Sequence, residues 1–395
     1  MRKISKIALL ASGDSAWIGG IQYTINIISA LNEIAENQQL EVHILKRKGQ
    51  NLGNLNNFIN IKIQTLDLDV ELHDFNLLNR MIWFLQRKLF NRINPQLENY
   101  LIKNKYDYVY PAVLSSCKGK INSGAWIADF QYYNFPEGHS LETTKEAERT
   151  ISFIANKMNK VVFSSESVEN EAFNLFPVIN GKSHVMPFTV YINKDSIQNN
   201  NLSLVKSKYG IEGPFLIVSN LFATVKNHIT LFEALDILKK KGVVITLVCT
   251  GNFVNYADME FTNEILQIIT KTGIRNQLFI LGLIPREDQI SLYRMSFAMV
   301  QPSLHEGWST CVEEAKALGK TIIISDINVH CEQKPKNAIF FDPLDAFNLA
   351  DKIEKVYIEQ GHLNFPDLEK EKQAIKRYNL SIRNFGKLFL EIAAK

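Results

Sequence analysis

Short apolar runs alternate with stretches of helical periodicity along most of this sequence, and that alternation restricts the fold more than any other feature. "KIALLAS" (6–12) precedes "GGIQYTINIISALNEIAEN", in which Ile25, Ile28, Leu31 and Ile34 recur at helical spacing. "LEVHIL" (40–45), a helical region over 76–104, "YDYVYPA" (106–112), "GAWIADF" (124–130), "KVVFSS" (160–165), a helix over 166–175 and "SHVMPF" (183–188) follow. Parallel neighbours in a sheet need a long crossover, usually a helix. Apolar runs separated by helices therefore predict an α/β fold with parallel sheets covered on both faces.

The polar stretch "NKDSIQNNNLSLVKSKYG" (193–210) breaks the pattern, which then restarts. Strand "PFLIVSN" leads to a helix over 227–240, strand "VVITLVCTG" to a helix over 258–271, and "QLFILGLI" to a short helix over 287–294. "FAMVQPS", a further helix, "TIIIS" and a closing helix over 378–394 complete the series. A chain of 395 residues exceeds one ordinary core. The expected organisation is a doubly wound domain over 1–190, a second over 191–377, and a final helical segment over 378–395. In such sheets ligands bind beyond the carboxyl ends of the strands.

Composition narrows the function. Hydrophobic residues make up 46% and charged residues 22%, as in a folded soluble chain. The net charge is +3, and division at residue 190 leaves +2 and +1, so neither half has the basic excess of a nucleic-acid binder. Cys117, Cys249, Cys311 and Cys331 are scattered, which predicts unpaired thiols in a reducing cytoplasm. The N-terminal apolar run is confined to Ile7–Ala11 before Gly13 and Asp14, which reads as a buried first strand and not a signal peptide. No apolar run approaches the ~20 residues of a membrane span.

The densest chemistry lies in "HEGWSTCVEEAKALGKTIIISDI" (305–327). A strand ends before it and a helix starts near Ser309, offering unpaired amides and a partial positive charge to an anion. Gly307 allows close backbone approach, and Ser309 and Thr310 can cap the helix or hold a phosphate oxygen. T-C-V-E (310–313) has capping-box spacing, which makes Glu313 a helix cap. Neither Glu306 in the loop nor Glu314 in the first turns is explained that way.

The spacing Glu306-x7-Glu314, followed by "AKALGKTIIISDI", closely resembles the retaining glycosyltransferases of the GT-B fold, family 4 type. "IGGIQY" (18–23) resembles that family's glycine-rich loop, and "WIADFQYYNFPE" (126–137) a subgroup segment. "VSNLFATVKNH" (218–228) resembles its phosphate-clamping loop, and "FILGLIPREDQISLYRMSFAMVQPSLHEGWS" its nucleotide-base region running into the motif. Two departures stand out. Asn220 replaces the arginine that many members carry in the clamp, and Tyr132 replaces the histidine after D-F-Q.

The resemblance implies two Rossmann-like domains facing across a cleft, with the last helix crossing back to the N-terminal domain. It also implies a nucleotide-sugar donor and a glycan or lipid-linked glycan acceptor, with a role in bacterial surface polysaccharide synthesis. A departing nucleoside diphosphate builds negative charge, which a cation and oriented amides can stabilise without metal. Lys226 would be that cation, and Gly19, Gly20, Gly307, Trp308, Ser309 and Thr310 would supply backbone or hydroxyl contacts, with Asn220 beside them. By the same resemblance Glu314 binds the ribose hydroxyls, Glu306 faces the donor sugar, and Leu283 with Ile284 offers backbone to the base. Asp129, at a strand end, orients acceptor or sugar, or caps a turn.

No cofactor or metal is expected. Asp67-Leu68-Asp69 is a D-x-D, but alternation puts both carboxylates on the solvent side of an extended segment. Residues 80–105 carry six basic residues against one Glu, with Trp83, Phe84, Leu85 and Phe90 among them. They form either a helix with a basic outer face or a peripheral contact with the inner face of an anionic membrane. The expected activity is metal-independent hexosyl transfer, retaining anomeric configuration, in the cytoplasm. A GT-B nucleotide-sugar epimerase and a non-catalytic nucleotide-sugar-binding subunit are the alternatives.

Overall fold

The structure, a computed structural model, describes residues 3–14, 17–35, 39–68, 95–114, 121–136, 140–198, 202–253, 259–362 and 366–395. Asp69, Cys117 and positions 80–94 of the basic stretch lie outside the described residues. The chain divides into two compact units, 1–130 with 147–191 and 380–395, and 131–146 with 192–379.

In unit 1, strands β1 (Lys6–Leu10), β2 (Glu41–Lys46), β3 (Lys62–Asp67) and β4 (Tyr108–Tyr110) form a sheet in the order β3-β2-β1-β4. Every pairing in it is parallel. Strands β5 (Ala125–Ile127), β6 (Val161–Phe163) and β7 (Ser183–Val185) form a second parallel sheet. A parallel bridge between Val109 and Ser123, with Gly124 N–H bonded to Val109 O, joins β4 to the start of β5. The succession then reads 3-2-1-4-5-6-7, the first six strands in Rossmann order.

The N-terminal run is the buried strand that its length implies: Ile7, Ala8 and Leu9 are enclosed in the sheet. The helix Ile18–Ile34 follows, burying Ile27, Ile28 and Leu31. Residues 380–395 complete this unit's core. Phe389 meets Tyr108 and Tyr110 edge-on at 5.6 and 5.4 Å, and Lys160 Nζ donates to Ile392 O at 2.7 Å. A side chain at Gly386 would come within 2.5 Å of Ala30 O, so the helix can pass there only as glycine.

Unit 2 holds one parallel sheet of β8 (Phe215–Ser219), β9 (Thr246–Thr250), β10 (Leu278–Gly282), β11 (Ala298–Gln301), β12 (Ile322–Ser325) and β13 (Ala338–Phe341). Its order is β10-β9-β8-β11-β12-β13, the same 3-2-1-4-5-6 arrangement. The strands are continuous apolar runs because helices cover both faces. The helix His228–Lys240 buries Leu231, Leu235 and Leu238 at i, i+4 and i+7 against Leu216, Val218 and Leu247. Full burial of one such side chain is worth ~1.5–3 kcal/mol. Strand order reverses between β8 and β11, and the carboxyl ends flanking that reversal are where an open α/β sheet binds ligands.

The last helix, Leu368–Ala394, starts before the apolar periodicity that predicts it over 378–394. Its first turns are charged, and Glu371 is buried in a two-pronged pair with Arg294 at 2.9 and 3.1 Å. The polar stretch 193–210 contains two short helices, Lys194–Gln198 and Leu202–Lys208.

Candidate active site

Three loops meet at the β8/β11 reversal in unit 2. The first follows β8 and ends in the short turn Thr224–Lys226. Asn227 then takes a left-handed conformation (φ 55°), which asparagine tolerates better than most residues, and begins the next helix. Its amide donates to Pro302 O at 3.0 Å and Pro343 O at 2.8 Å, fixing this loop to the two that follow β11 and β13. Lys226 is thereby aimed at the second loop, where its Nζ lies 2.6 Å from Glu306 Oε1.

Glu306 is held from three directions. The same Oε1 accepts from Gln301 Nε2 at 2.9 Å and Ser303 Oγ at 2.7 Å. Its side chain is 10% exposed and that of Lys226 23%. Burial alone would raise the Glu306 carboxyl, but the adjacent ammonium outweighs it and holds the group below the ordinary 4.5. His330, buried nearby, is pushed down to about 4 by burial, against the pull of Glu306. It is therefore neutral at pH 7, and its Nδ1 lies 3.0 Å from Ser325 O.

Asn220, expected beside the phosphates, is itself buried, and its amide donates to Gln301 Oε1 at 2.9 Å. It thus supports the glutamine that supports Glu306. Gln301 and Ser303 were not anticipated. The available signal was a glutamine ending an otherwise apolar buried strand, since a buried polar group needs partners.

The helix Thr310–Leu318 corrects one expectation. Glu313 is not its cap: the N-cap is Ser309, which puts Val312, not Glu313, at the third position that a capping box requires. Buried Glu313 instead bonds Lys316 Nζ at 2.7 Å and Gln333 Nε2 at 3.0 Å. The cap comes from elsewhere. Gln333 accepts from Ser309 N–H at 3.2 Å and donates to Ser309 O at 3.1 Å, so one distant amide closes the helix start. The first bond inside the helix runs from Glu313 N–H to Ser309 O, leaving the earlier amides of Thr310, Cys311 and Val312 without a partner of that kind. Gly307 is buried at the turn, and Trp308 is half-buried with Lys316 Nζ 5.9 Å from its ring centre.

Glu314 lies one turn further along, its side chain 2% exposed. Its Oε1 is 2.5 Å from Arg286 Nη2, a residue that the sequence reading did not single out. Leu283 follows Gly282, whose φ of 67° makes the turn after β10, and is 56% exposed. The segment after Phe130 also belongs to this unit: Asn134 Nδ2 lies 3.2 Å from His305 Nε2, and Tyr132 is half-buried in the short helix Gln131–Asn134.

The remaining candidates lie in unit 1. Gly19 and Gly20 sit in the first turn of the helix Ile18–Ile34, with Gly20 N–H bonded to Trp17 O at 3.2 Å. A side chain at Gly20 would meet Gly13 N at 2.6 Å, so this helix start demands glycine for packing alone. Asp129 is half-buried, two residues beyond β5. Asp67 ends β3, half-buried where an exposed position was expected. Among the described residues, no group of three His, Cys, Asp or Glu side chains is arranged to hold a metal ion.

The family described as glycosyl transferases group 1 matches residues 205–378, the segment that carries the unit 2 site residues above other than those of Gln131–Asn134. A Bacillus subtilis (strain 168) protein named as a candidate glycosyltransferase, EpsF, is 32% identical over 124 residues. That match spans 31% of this chain and 30% of the relative, less than a third of its length. A glycosyltransferase from Rickettsia africae ESF-5 superposes with a TM-score of 0.66 at 18% identity, covering 99% of this chain and 98% of that one. The Anabaena protein Alr3699/HepE, solved in complex with UDP and glucose, gives 0.65 at 14% identity, with 98% of each chain covered. Sucrose-phosphate synthase from Thermosynechococcus elongatus gives 0.66 at 14% identity, covering 98% and 99%. At such identities the likeness is one of fold, two Rossmann-like domains of the GT-B type.

Proposed function

We propose that this chain, whose residues 205–378 belong to the glycosyl transferases group 1, transfers a hexose from a nucleotide-diphosphate donor to a hydroxyl of a glycan or glycolipid acceptor, with retention of anomeric configuration. The observation that carries this reading is the Lys226–Glu306 pair at the carboxyl ends of β8 and β11, with Glu314 following on the helix that starts there. A departing diphosphate needs positive charge; Lys226 and the amides opening the Thr310 helix supply it. The anomeric carbon becomes cationic as the bond to the leaving group stretches, and Glu306, ionised at neutral pH, is suited to stabilise it.

Glu314 takes the ribose hydroxyls, because a carboxylate accepts two hydrogen bonds from a vicinal diol. Gly19, Gly20 and Asp129 are proposed to act from unit 1, the glycines on the donor and Asp129 on the acceptor. The transfer is proposed to need no metal, since protein groups answer the charge. The acceptor is proposed to be a bacterial surface polysaccharide intermediate on the cytoplasmic side of the membrane. No helix among the described residues is long and apolar enough to cross a bilayer.

UDP bound to the fold relative from Anabaena makes UDP-sugars the first donors to test. Thermal shifts against UDP-, GDP-, ADP- and dTDP-sugars, followed by product analysis in excess EDTA, examine the whole reading. Expected are a stabilising donor and transfer to a supplied glycan acceptor that persists in EDTA. Epimer formation without acceptor would replace the reading with an epimerase. Binding without turnover across acceptors would replace it with a binding subunit.

A further inference from the structure

Arg286 is a cation of the site that has no role in the reading above. Asn220 stands where many family members carry a clamp arginine, and its amide is already committed to Gln301. A guanidinium reaches the same pocket from another element. Arg286 opens the helix Arg286–Met295 after β10, with Nη2 2.5 Å from Glu314 Oε1 and Nη1 donating to Gln289 Oε1 at 2.7 Å. Gln289 Nε2 in turn donates to Ser219 Oγ, on the residue just before Asn220. Arg286 is therefore tied through a single amide to the strand end where the clamp arginine is missing.

Both members of the pair keep unused capacity. Glu314 Oε2 is buried and makes no hydrogen bond among the described residues. Arg286 Nη2 touches Glu314 as an ion pair without a well-aligned hydrogen bond. An acceptor and a donor thus lie side by side, each incompletely used. The Arg286 side chain is 36% exposed although its Nη2 is buried against Glu314, which is itself enclosed. A planar guanidinium also suits phosphate oxygens, which it can grip with two parallel bonds.

We propose that Arg286 is a further donor-binding residue: it answers the charge of Glu314 in the free protein and turns to the nucleotide's diphosphate once ribose hydroxyls take that carboxylate. This rests on Glu314 being the ribose ligand. Arg286 then supplies the cation that position 220 lacks, and ribose binding frees it for use. The order matters, because a nucleoside without phosphates gains little from Arg286 while a diphosphate gains its full charge.

The test is calorimetric titration of wild type, Arg286→Ala, Glu314→Gln and the double variant. The probes are the nucleoside and the nucleoside diphosphate of the base that wild type binds, uridine and UDP first. Arg286→Ala should weaken the diphosphate by roughly 10- to 150-fold and the nucleoside far less. The same diphosphate-specific loss should appear on going from Glu314→Gln to the double variant, where no buried carboxylate is left without a partner. Equal losses for nucleoside and diphosphate would overturn the proposal, leaving Arg286 as a support for Glu314 alone. Unchanged diphosphate affinity would overturn it as well. If Glu314→Gln binds the nucleoside like wild type, the ribose assignment fails separately, and the diphosphate increment still reports on Arg286.

Discussion

Replacing Lys226 by Met keeps most of the side-chain stem and removes its charge from a carboxylate that has few other partners. Glu306 would be left with Gln301 and Ser303, its side chain 10% exposed. Breaking a fully buried ion pair costs ~3–5 kcal/mol, and a hydrogen bond to a charged group is worth ~1.5–3 kcal/mol. Lys226 is 23% exposed, so water can enter where the ammonium was, and about 2 kcal/mol is the appropriate figure. For a domain of this size that lowers the melting temperature by about 4–8 °C. Glu306→Gln removes the stranded charge while its oxygen still accepts from Gln301 and Ser303. The double variant should therefore recover most of the lost stability, with a coupling of ~1–2 kcal/mol. Turnover should behave differently, falling by ~10²–10³ in Lys226→Met and staying low in the double variant. Thermal denaturation and initial rates on the four proteins separate the two effects. Stabilities that add within ~0.5 kcal/mol would refute the pairing as a coupled unit, and recovery of turnover in the double variant would refute its electrostatic role in transfer.

Glu314→Ala should weaken nucleotide binding itself by roughly 10- to 150-fold, read by calorimetry; unchanged affinity in a folded variant would sink the ribose assignment. In wild type, Lys226 holds the Glu306 carboxyl below the ordinary 4.5 against burial. The pair's stabilisation is thus in place above that value and fades as pH falls through the lower folded-state value. In Lys226→Met the Ser303 hydrogen bond remains but the ammonium that offset burial is gone, so the acid limb of the pH–rate profile should move to higher pH; an unmoved limb would contradict the assignment. If the basic stretch 80–105 meets an anionic bilayer, Arg87→Glu with Lys88→Glu should abolish sedimentation with anionic vesicles. Wild type that never sediments would remove that contact from the account.

Periodicity made the sheets legible. Each strand drawn from the apolar runs beginning at "KIALLAS", "LEVHIL" and "PFLIVSN" is present, because a strand covered on both faces must be apolar throughout. The start of the last helix was not legible, since Glu371 pairs with Arg294 where an apolar contact would have marked the turn. The helix Leu141–Lys157 and the strand–helix pair Ala338–Phe341 and Ala346–Gln360 also went unmarked. In the site, Glu306 and Glu314 stand out in the sequence by loop and helix-start position, and Lys226 only through the family resemblance. The side chains around them do not: Gln301 reaches Glu306, Gln333 reaches Glu313 and Arg286 reaches Glu314 through contacts that the fold creates, 20 or more residues apart for the last two. Glu313 shows the limit of local rules, for a shift of one residue in the helix start reassigns a cap to a tertiary contact.

The chain passes between the two units four times, at 130/131, 146/147, 191/192 and 379/380. During synthesis, unit 1 has emerged up to residue 191 while residues 380–395, which supply Phe389 and the carbonyl that receives Lys160, do not yet exist. At ~5–20 residues per second that wait lasts on the order of 10–40 s. Throughout it, Tyr108, Tyr110 and the Ala30 side of the first helix lack their cover. Unit 2, made later, can close first. A stop codon near residue 380 would therefore leave unit 2 nearly whole and injure the unit that was translated first.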